Sequence, residues 1–197
     1  MKDDVNKYPK YFNEIMKQTK EAGFDQLSDD KLGSFLSTLV ATKPHSKILE
    51  LGTGSGLSTV WILSGMDENS TLQTVDNDEI LVNIAKQYLK DDKRVEFFVE
   101  NGEDLILRTE SHSIDFIFAD TWPGKYNHLE ETLDLLKDGG IYLIDDMLPQ
   151  ENWPDGHDAK ANHLIQYLEN REDLNCVKLN WSTGVIICTK LARNGND

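Results

Sequence analysis

The chain has 197 residues, of which 39% are hydrophobic. This length suits one domain with a full core and is short for two domains of ordinary size. Acidic residues number 35 and basic residues 20, so the formal net charge is −15. Because binding to nucleic acid or to an anionic membrane requires a concentration of positive charge, and the lysines and arginines are scattered, we expect neither partner.

Two further features bear on the compartment. No apolar run approaches the ~20 residues of a membrane span, and the N-terminus lacks the apolar core of a signal peptide, so we expect a cytoplasmic protein. The only cysteines, Cys176 and Cys188, lie at about equal distances from the turn of a predicted C-terminal hairpin. In a reducing compartment we expect two buried thiols rather than a disulfide.

Two helical patterns open the chain. Pro9 favours the start of a first helix, and Gly23 favours its end. Ser28 is the expected N-cap of a second helix, which Pro44 ends. We expect residues 1–44, which contain the two helices, to form an N-terminal cap suited to act as a lid or as the face of a homodimer.

Strand and helix patterns alternate after this cap. Short apolar runs predict strands at 47–51, 71–75, 95–99, 114–119 and 140–145. Helical patterns predict helices at about 57–65, 79–90, 102–108, 126–137 and 158–169. Two last strands, 174–180 and 184–191, are joined by a connection so short that they must pair antiparallel.

This order of elements predicts an α/β fold. We expect residues 45–197 to form one compact domain, a Rossmann-like doubly wound sheet of five parallel strands with a C-terminal antiparallel hairpin. The predicted strand order is 3-2-1-4-5-7-6. In such sheets ligands bind at the carboxyl ends of the strands.

The most informative segment is 48–59, with the sequence ILELGTGSGLST. It predicts a buried strand, a glycine-rich turn and the start of a helix. Gly52, Gly54 and Gly56 lack a Cβ where the backbone must bend sharply and a ligand must come close. A turn of this kind binds an adenosine-containing cofactor, although a structural turn without a ligand would use the same residues.

The identity of the cofactor follows from how this turn departs from a dinucleotide site. Leu57 stands where the last glycine of a G-x-G-x-x-G motif would be. Glu50, at the end of the strand, would repel a pyrophosphate but suits a ligand that carries an amine and a sulfonium. We therefore predict S-adenosylmethionine, with Thr53 and Ser58 among its contacts.

The next two strands end in residues suited to the rest of such a cofactor. Asp76 lies 24 residues after Gly52, close to the spacing at which a carboxylate accepts the ribose hydroxyls. Asn77 follows it, and Asn101 and Gly102 follow the third strand, where they are expected to meet the adenine. An aspartate and an Asn-Gly pair are also common in ordinary turns.

Three carboxylates follow the fourth and fifth strands. Asp120 comes directly after the fourth, and Asp145 and Asp146 end the fifth. Because these strands are neighbours in the predicted sheet, the three side chains should converge, which is costly without a cation. Oxygen ligands suit Mg²⁺, Ca²⁺ or Mn²⁺. The alternative is that Asp146 caps a loop and the others face water.

These residues together resemble a known family. The segment 120–126, DTWPGKY, is similar to the D-x-W-K-x-x-Y of catechol O-methyltransferases. From about residue 28 the chain resembles class I S-adenosylmethionine-dependent methyltransferases, and more narrowly the catechol and caffeoyl-CoA type O-methyltransferases. The resemblance implies methyl transfer to a hydroxyl of a small molecule, with Trp122 and Asp120 at the cofactor. It also implies that Asp120, Asp145 and Asp146 bind the metal.

The chain departs from that family at the general base. Pro123 takes the place of the family lysine and cannot accept a proton, while Lys125 lies two residues later. The loop 149–157 follows the fifth strand and should overhang the site. Its last residue, His157, is therefore a second candidate for the base or an extra metal ligand, or else a loop histidine in contact with solvent.

Two other classes of function stay open at the level of sequence. Without the family lysine, the protein could be a non-catalytic S-adenosylmethionine-binding sensor or partner subunit. A nicotinamide-dependent oxidoreductase is a weaker alternative, against which Leu57 and the closing hairpin argue. Binding of cofactor without turnover would indicate the first, and binding of NADH the second.

Overall fold

The structure, a computed structural model, describes residues 4, 5, 7–25, 27–150 and 153–192. It divides the chain into two compact units, Met1–Gly102 and Glu103–Asp197. When the strands are numbered along the chain, their order in the sheet is 3-2-1-4-5-7-6. This confirms the predicted order and the Rossmann-like α/β class. Among the described residues, no helix combines the length and apolarity needed to cross a membrane.

The elements follow closely the predicted alternation. The first unit contains α1 Phe12–Glu21, α2 Asp30–Ala41, β1 Lys47–Leu51, α3 Leu57–Gly65, β2 Thr71–Asp76, α4 Glu79–Leu89 and β3 Val95–Val99. Helix α5, Gly102–Arg108, begins at Gly102, which is the last residue of the first unit. The second unit continues with β4 Ile114–Ala119, α6 Leu129–Asp134, β5 Leu136–Ile144, α7 His157–Glu169, β6 Leu174–Leu179 and β7 Val185–Lys190.

In the first unit, β2 pairs in parallel with both β1 and β3. Leu51 lies opposite Val75, and Asp76 lies opposite Val99, so the three strands end at nearly the same level. Every side chain of β1 except that of Lys47 is buried, and all of the buried ones except Glu50 are apolar. This register brings the segments after the strands to one edge of the sheet, where ligands bind in folds of this kind.

The ends of the first two helices agree with the sequence signals at some positions and differ from them at others. Helix α1 begins three residues after Pro9 rather than at it. Gly23 follows α1 in the left-handed conformation, with φ of 75°, as a helix-ending glycine does. The N-cap of α2 is Asp29, whose carboxylate accepts a hydrogen bond from the Lys31 N–H, so the prediction of Ser28 was wrong by one residue. Aspartate and serine are equally favoured at this position, so composition alone does not separate them.

Helix α2 packs directly against α3. A Cβ on Gly33 would lie 2.2 Å from the Trp61 ring, and one on Gly65 would lie 2.2 Å from the Ser37 carbonyl oxygen. Only glycine permits this approach at either position. The two N-terminal helices lie in the same compact unit as β1–β3, and the predicted boundary between residues 44 and 45 stays a prediction.

In the second unit, β5 pairs in parallel with β4 and antiparallel with β7, and β6 pairs antiparallel with β7. This confirms the closing hairpin. It also places the turn between β6 and β7 beside the end of β5, since Ile144 pairs with Ile186.

The segment before β5 was predicted with the wrong boundaries. The expected helix at 126–137 is only Leu129–Asp134, because the Tyr126 and Asn127 N–H groups both donate to the Trp122 carbonyl in a preceding turn. The strand expected at 140 begins at Leu136, with an irregular register against β4 before Ile141. A bulge of this kind interrupts the period-two pattern from which strands are predicted.

The cysteines also differ from the prediction. Cys176 and Cys188 lie directly opposite each other in the β6–β7 pair and form a disulfide, so the expectation of two thiols was wrong. The equal distances from the turn had indicated that the two residues face each other. Directly opposed residues of an antiparallel pair point to the same face of the sheet, which brings their sulfurs within bonding reach.

Candidate cofactor and metal sites

The glycine-rich turn of the first unit joins β1 to α3 as predicted. Gly52, Gly54 and Gly56 all have positive φ, at 104°, 49° and 94°. The Gly52 and Thr53 N–H groups donate to the Val75 carbonyl oxygen, which ties the turn to β2. The turn therefore has a defined conformation that other residues would adopt only with strain.

Packing imposes a further requirement at Gly56. A Cβ on this residue would lie 2.7 Å from the Cβ of Ala85 on α4. The missing side chain thus lets α4 approach the start of α3.

The Glu50 side chain is completely buried, and its two carboxylate oxygens accept hydrogen bonds of 2.6 Å from Ser58, Thr59 and Thr74. Burial raises the pKa of this carboxyl from 4.5 to about 7, although the three hydroxyls lower it in part. The sequence predicted that this carboxylate contacts a sulfonium or an amine, but in the structure its oxygens bind hydroxyls of the protein itself. The carboxylate instead holds β1, β2 and α3 together beneath the turn.

Two other predicted cofactor residues also point inward. Thr53 Oγ1 lies 2.6 Å from Thr74 Oγ1, and the Ser58 hydroxyl is used by Glu50. Both side chains are buried. Their side chains therefore support the turn, and its backbone is the part that can meet a ligand.

Asp76 ends β2 and faces the turn. Its Oδ2 accepts a hydrogen bond of 2.8 Å from the Gly54 N–H, and its Oδ1 accepts one of 3.0 Å from the Asp78 N–H. Each carboxylate oxygen has a second lone pair, so Asp76 can still accept hydroxyl protons. Asn77 and Asn101 lie side by side, with 3.5 Å between Asn77 Nδ2 and Asn101 Oδ1, and Gly102 begins α5.

The second unit brings together the three predicted metal ligands. One carboxylate oxygen from each of Asp120, Asp145 and Asp146 lies within 4.8 Å of the others. Asp145 is buried, and Asp146 has a positive φ of 53°. Burial and the neighbouring charge of Asp146 raise the pKa of Asp145 to about 6. Asp145 is the buried member of the cluster, and three like charges this close together fit a divalent cation, which would compensate them.

A residue not expected from the sequence orients one of these carboxylates. The Thr183 hydroxyl, in the turn between β6 and β7, donates a hydrogen bond of 2.5 Å to Asp145 Oδ1. Thr183 lies 38 residues from Asp145 along the chain. A threonine in a short hairpin connection carries no signal that would have indicated this contact.

Lys125 has a different environment from the one expected of a proton acceptor. Its side chain is only 4% exposed, and its ammonium donates a hydrogen bond of 2.5 Å to the Asp145 carbonyl oxygen. The Tyr142 hydroxyl donates to the neighbouring Gly124 carbonyl at 2.6 Å. These two buried contacts attach the turn that carries Trp122 and Tyr126 to β5.

His157, the first residue of α7, lies in an aromatic cluster with Trp122, Tyr126 and Trp153. The centre of its ring is 4.5 Å from that of Trp153, 5.1 Å from that of Tyr126 and 6.0 Å from that of Trp122. The His157 Nε2 is 3.2 Å from the Tyr126 hydroxyl, and its Nδ1 is buried without a partner among the described residues.

The two polar members of this cluster are neutral near pH 7. Burial lowers the pKa of His157, with a further decrease from the charges of Lys125 and Lys160, against opposing effects of Asp146 and Asp158. Burial also raises the pKa of Tyr126 to about 12. The Lys160 ammonium lies 4.1 Å from the centre of the Trp122 ring, where a cation–π contact holds this half-exposed indole.

The protein thus combines a Rossmann-like fold with a glycine-rich turn after β1 and a cluster of three aspartates. A family model described as O-methyltransferase matches residues 2–191, nearly the whole chain. The chain therefore belongs to the O-methyltransferase family, which confirms the resemblance seen in the sequence.

Individual proteins agree with this assignment. A curated Mycobacterium avium (strain 104) protein named "Putative O-methyltransferase" is 29% identical over 118 residues, which are 57% of this chain and 53% of that protein. The chain thus matches about half the length of this relative.

Solved structures support the fold. The O-methyltransferase from Bacillus cereus in complex with SAH covers 95% of this chain and 94% of its own, with a TM-score of 0.82 and 19% identity. The O-methyltransferase TomG from Streptomyces achromogenes, in complex with SAM, covers 95% and 92%, with a TM-score of 0.83 and 18% identity. At such identities the likeness concerns the fold alone.

Proposed function

We propose that the protein transfers a methyl group from S-adenosylmethionine to a hydroxyl oxygen of a small molecule. The observation that carries this proposal is the family match over residues 2–191. The glycine turn and Asp76 support it, as do the SAH and SAM complexes of the structurally similar proteins.

In this proposal the backbone of the turn at Gly52–Gly56 and the carboxylate of Asp76 hold the cofactor. Asp76 accepts the ribose hydroxyls with the lone pairs that the Gly54 and Asp78 N–H groups leave free. Asn77, Asn101 and Gly102 meet the adenine in this proposal. The contacts of Trp122 and Asp120 with the cofactor stay predictions from the sequence. Glu50 acts indirectly, because its hydrogen bonds define the position of the turn.

Asp120, Asp145 and Asp146 are the residues proposed to hold a divalent cation. When bound, such an ion lowers the proton affinity of a hydroxyl group that coordinates it. Thr183 orients Asp145 for this role, and Lys125 holds the main chain at the same residue.

His157 is proposed to take the proton of the acceptor hydroxyl. It is neutral near pH 7 because its pKa is lowered, and its Nδ1 is the ring nitrogen without a partner among the described residues. In the transfer, the bond from sulfur to the methyl carbon breaks as the oxygen–carbon bond forms, and the proton passes to His157. Lys125 is the less suitable base, since its ammonium is already engaged by the Asp145 carbonyl oxygen.

The test is a calorimetric titration of S-adenosylhomocysteine into the purified protein, with Mg²⁺ and with a chelator. Micromolar binding is expected, which corresponds to about −8 kcal/mol. Asp76→Ala should weaken this binding more than tenfold, whereas Asp91→Ala, on an exposed turn of the same unit, should leave it unchanged. Absence of binding to the unaltered protein would contradict the proposed cofactor.

Turnover is measured separately, as release of S-adenosylhomocysteine from S-adenosylmethionine with a panel of small hydroxyl compounds. A methylated product with any of them is the expected result. Binding of the cofactor without turnover on the whole panel would favour a non-catalytic binding protein.

A further inference from the structure

Helix α1 contacts the glycine turn through one buried hydrogen bond. Thr19 Oγ1, in the last part of α1, lies 2.7 Å from Ser55 Oγ, between the second and third glycines. The same hydroxyl also lies 2.7 Å from the Ile15 carbonyl oxygen of its own helix. Thr19 is completely buried and Ser55 is 3% exposed, so water does not compete for either hydroxyl.

This contact is adjacent to the one made by Asp76. The Gly54 N–H donates to Asp76 on the β2 side, and the next residue, Ser55, is bonded to Thr19 on the α1 side. The tip of the turn is thus attached at two successive residues to two different elements.

Helix α1 also reaches the element that follows Asp76. Gln18 Nε2 donates a hydrogen bond of 2.8 Å to the hydroxyl of Tyr88 on α4. The ring of Tyr11, at the start of α1, has its centre 5.8 Å from that of Tyr88. Consecutive residues of α1, Gln18 and Thr19, therefore contact α4 and the turn respectively.

We infer that Thr19 is a positioning residue for the cofactor, through which the docking of α1 and the binding of S-adenosylmethionine stabilise each other. The inference rests on the proposed function, because it assigns α1 to the cofactor site of that proposal. Thr19 does not touch the ligand. It holds Ser55, and with it the backbone N–H groups of the turn, in the conformation that the ligand binds.

The coupling follows from the position of the bond. If α1 separates from the unit, Ser55 loses its partner on α1, and the turn keeps only its hydrogen bonds to β2. A turn that samples more than one conformation binds a ligand more weakly, in proportion to the fraction of molecules in the competent state. Binding of the ligand selects that state and so favours the docked helix.

The experiment compares four proteins in calorimetric titrations with S-adenosylhomocysteine. Thr19→Val keeps the shape of the side chain but removes the hydrogen bond, and we expect a Kd about tenfold higher. Thr19→Ser keeps the hydroxyl and should restore most of the affinity. Thr38→Val is the matched control, because Thr38 makes the same bond to the carbonyl four residues earlier on α2 and is exposed. Among the described residues it has no hydrogen bond to a turn.

Hydrogen exchange gives a readout that a purely structural role would not change. In the unaltered protein, S-adenosylhomocysteine should slow exchange of the amides of α1 as well as those of the turn. In Thr19→Val, binding of S-adenosylhomocysteine should still slow amide exchange in the turn but should no longer slow it in α1. If Thr19→Val lowers the melting temperature too far to be assayed, Ser55→Ala tests the same bond from its other side.

The outcomes are distinguishable. Equal affinity of Thr19→Val and the unaltered protein, or unchanged exchange in α1 on binding, would overturn the inference while leaving the proposed function in place. Failure of the unaltered protein to bind S-adenosylhomocysteine would instead overturn the proposed function.

Discussion

At the scale of single residues, Glu50 shows how a buried carboxyl can hold a turn in position through its hydrogen bonds. The carboxyl is completely buried among three hydroxyls, and its pKa is raised from 4.5 to about 7. Between these two values the folded protein holds a proton that the unfolded chain releases. The contribution of Glu50 to the free energy of unfolding is therefore fully present below pH 4.5 and is lost as the pH rises through about 7.

Glu50→Gln, which has no charge at any pH, removes this titration. Relative to this variant, the unaltered protein should lose about 3 kcal/mol of unfolding free energy between pH 4.5 and pH 8. Urea unfolding at four pH values in this range measures the difference. Glu68→Gln, on an exposed turn, should follow the unaltered protein. Parallel pH profiles for Glu50→Gln and the unaltered protein would contradict the assignment.

Gly56 allows a second prediction at this scale. Gly56→Ala combines a positive φ of 94° with a Cβ placed 2.7 Å from Ala85, so it should destabilise the protein by about 2–4 kcal/mol. Gly139→Ala is the matched control, because its φ of 74° is also positive but no atom lies within 4 Å of the added carbon. Thermal unfolding of both variants separates the strain of the backbone from the collision. Equal losses would show that packing against α4 does not matter.

At the scale of elements, the antiparallel hairpin of β6 and β7 contributes to the acidic cluster. Strand β7 pairs with β5, which brings the connecting turn to the end of β5. There the Met147 N–H donates to the Gly184 carbonyl, the Leu148 N–H donates to the Thr183 carbonyl, and the Thr183 side chain donates to Asp145. The hairpin thus holds both the backbone after β5 and one of the proposed metal ligands.

Thr183→Val is expected to weaken binding of Mn²⁺ by about 10–100-fold, as loss of a hydrogen bond to a metal ligand does. Calorimetric titration of Mn²⁺ into the protein without cofactor measures this directly. Thr183→Ser should retain tight binding, and Thr189→Val, on the neighbouring strand β7, should have no effect. An unchanged Mn²⁺ affinity in Thr183→Val would show that Asp145 does not depend on this contact.

At the scale of the whole molecule, the net charge of −15 opposes the compact state through mutual repulsion. Raising the salt concentration to about 0.15 M shortens the Debye length to about 8 Å and screens this repulsion. The melting temperature should therefore rise by a few degrees with added NaCl. At equal ionic strength, Mg²⁺ should add a further rise that Asp145→Asn removes. Identical curves in NaCl and MgCl₂ would argue against a specific cation site.

The strand–helix alternation and the segments that carry the site were predictable because their signals are local. Strands β1, β3 and β4 and helices α3 and α5 have the predicted bounds, since each is an apolar run or helical pattern between clear breaks. The glycines of the turn and the aspartates at the ends of β2, β4 and β5 were placed there for the same reason. Signals of this kind are contained in a few neighbouring residues.

What the tertiary structure decided is which of these side chains face a ligand and which partners hold them. The hydrogen bonds of Thr74 to Glu50, of Thr183 to Asp145 and of Thr19 to Ser55 all join segments that are distant along the chain. The disulfide depended in the same way on the register of β6 and β7. Composition and periodicity determine which elements form, but a contact between distant elements exists only once the elements have packed, so no local pattern records it.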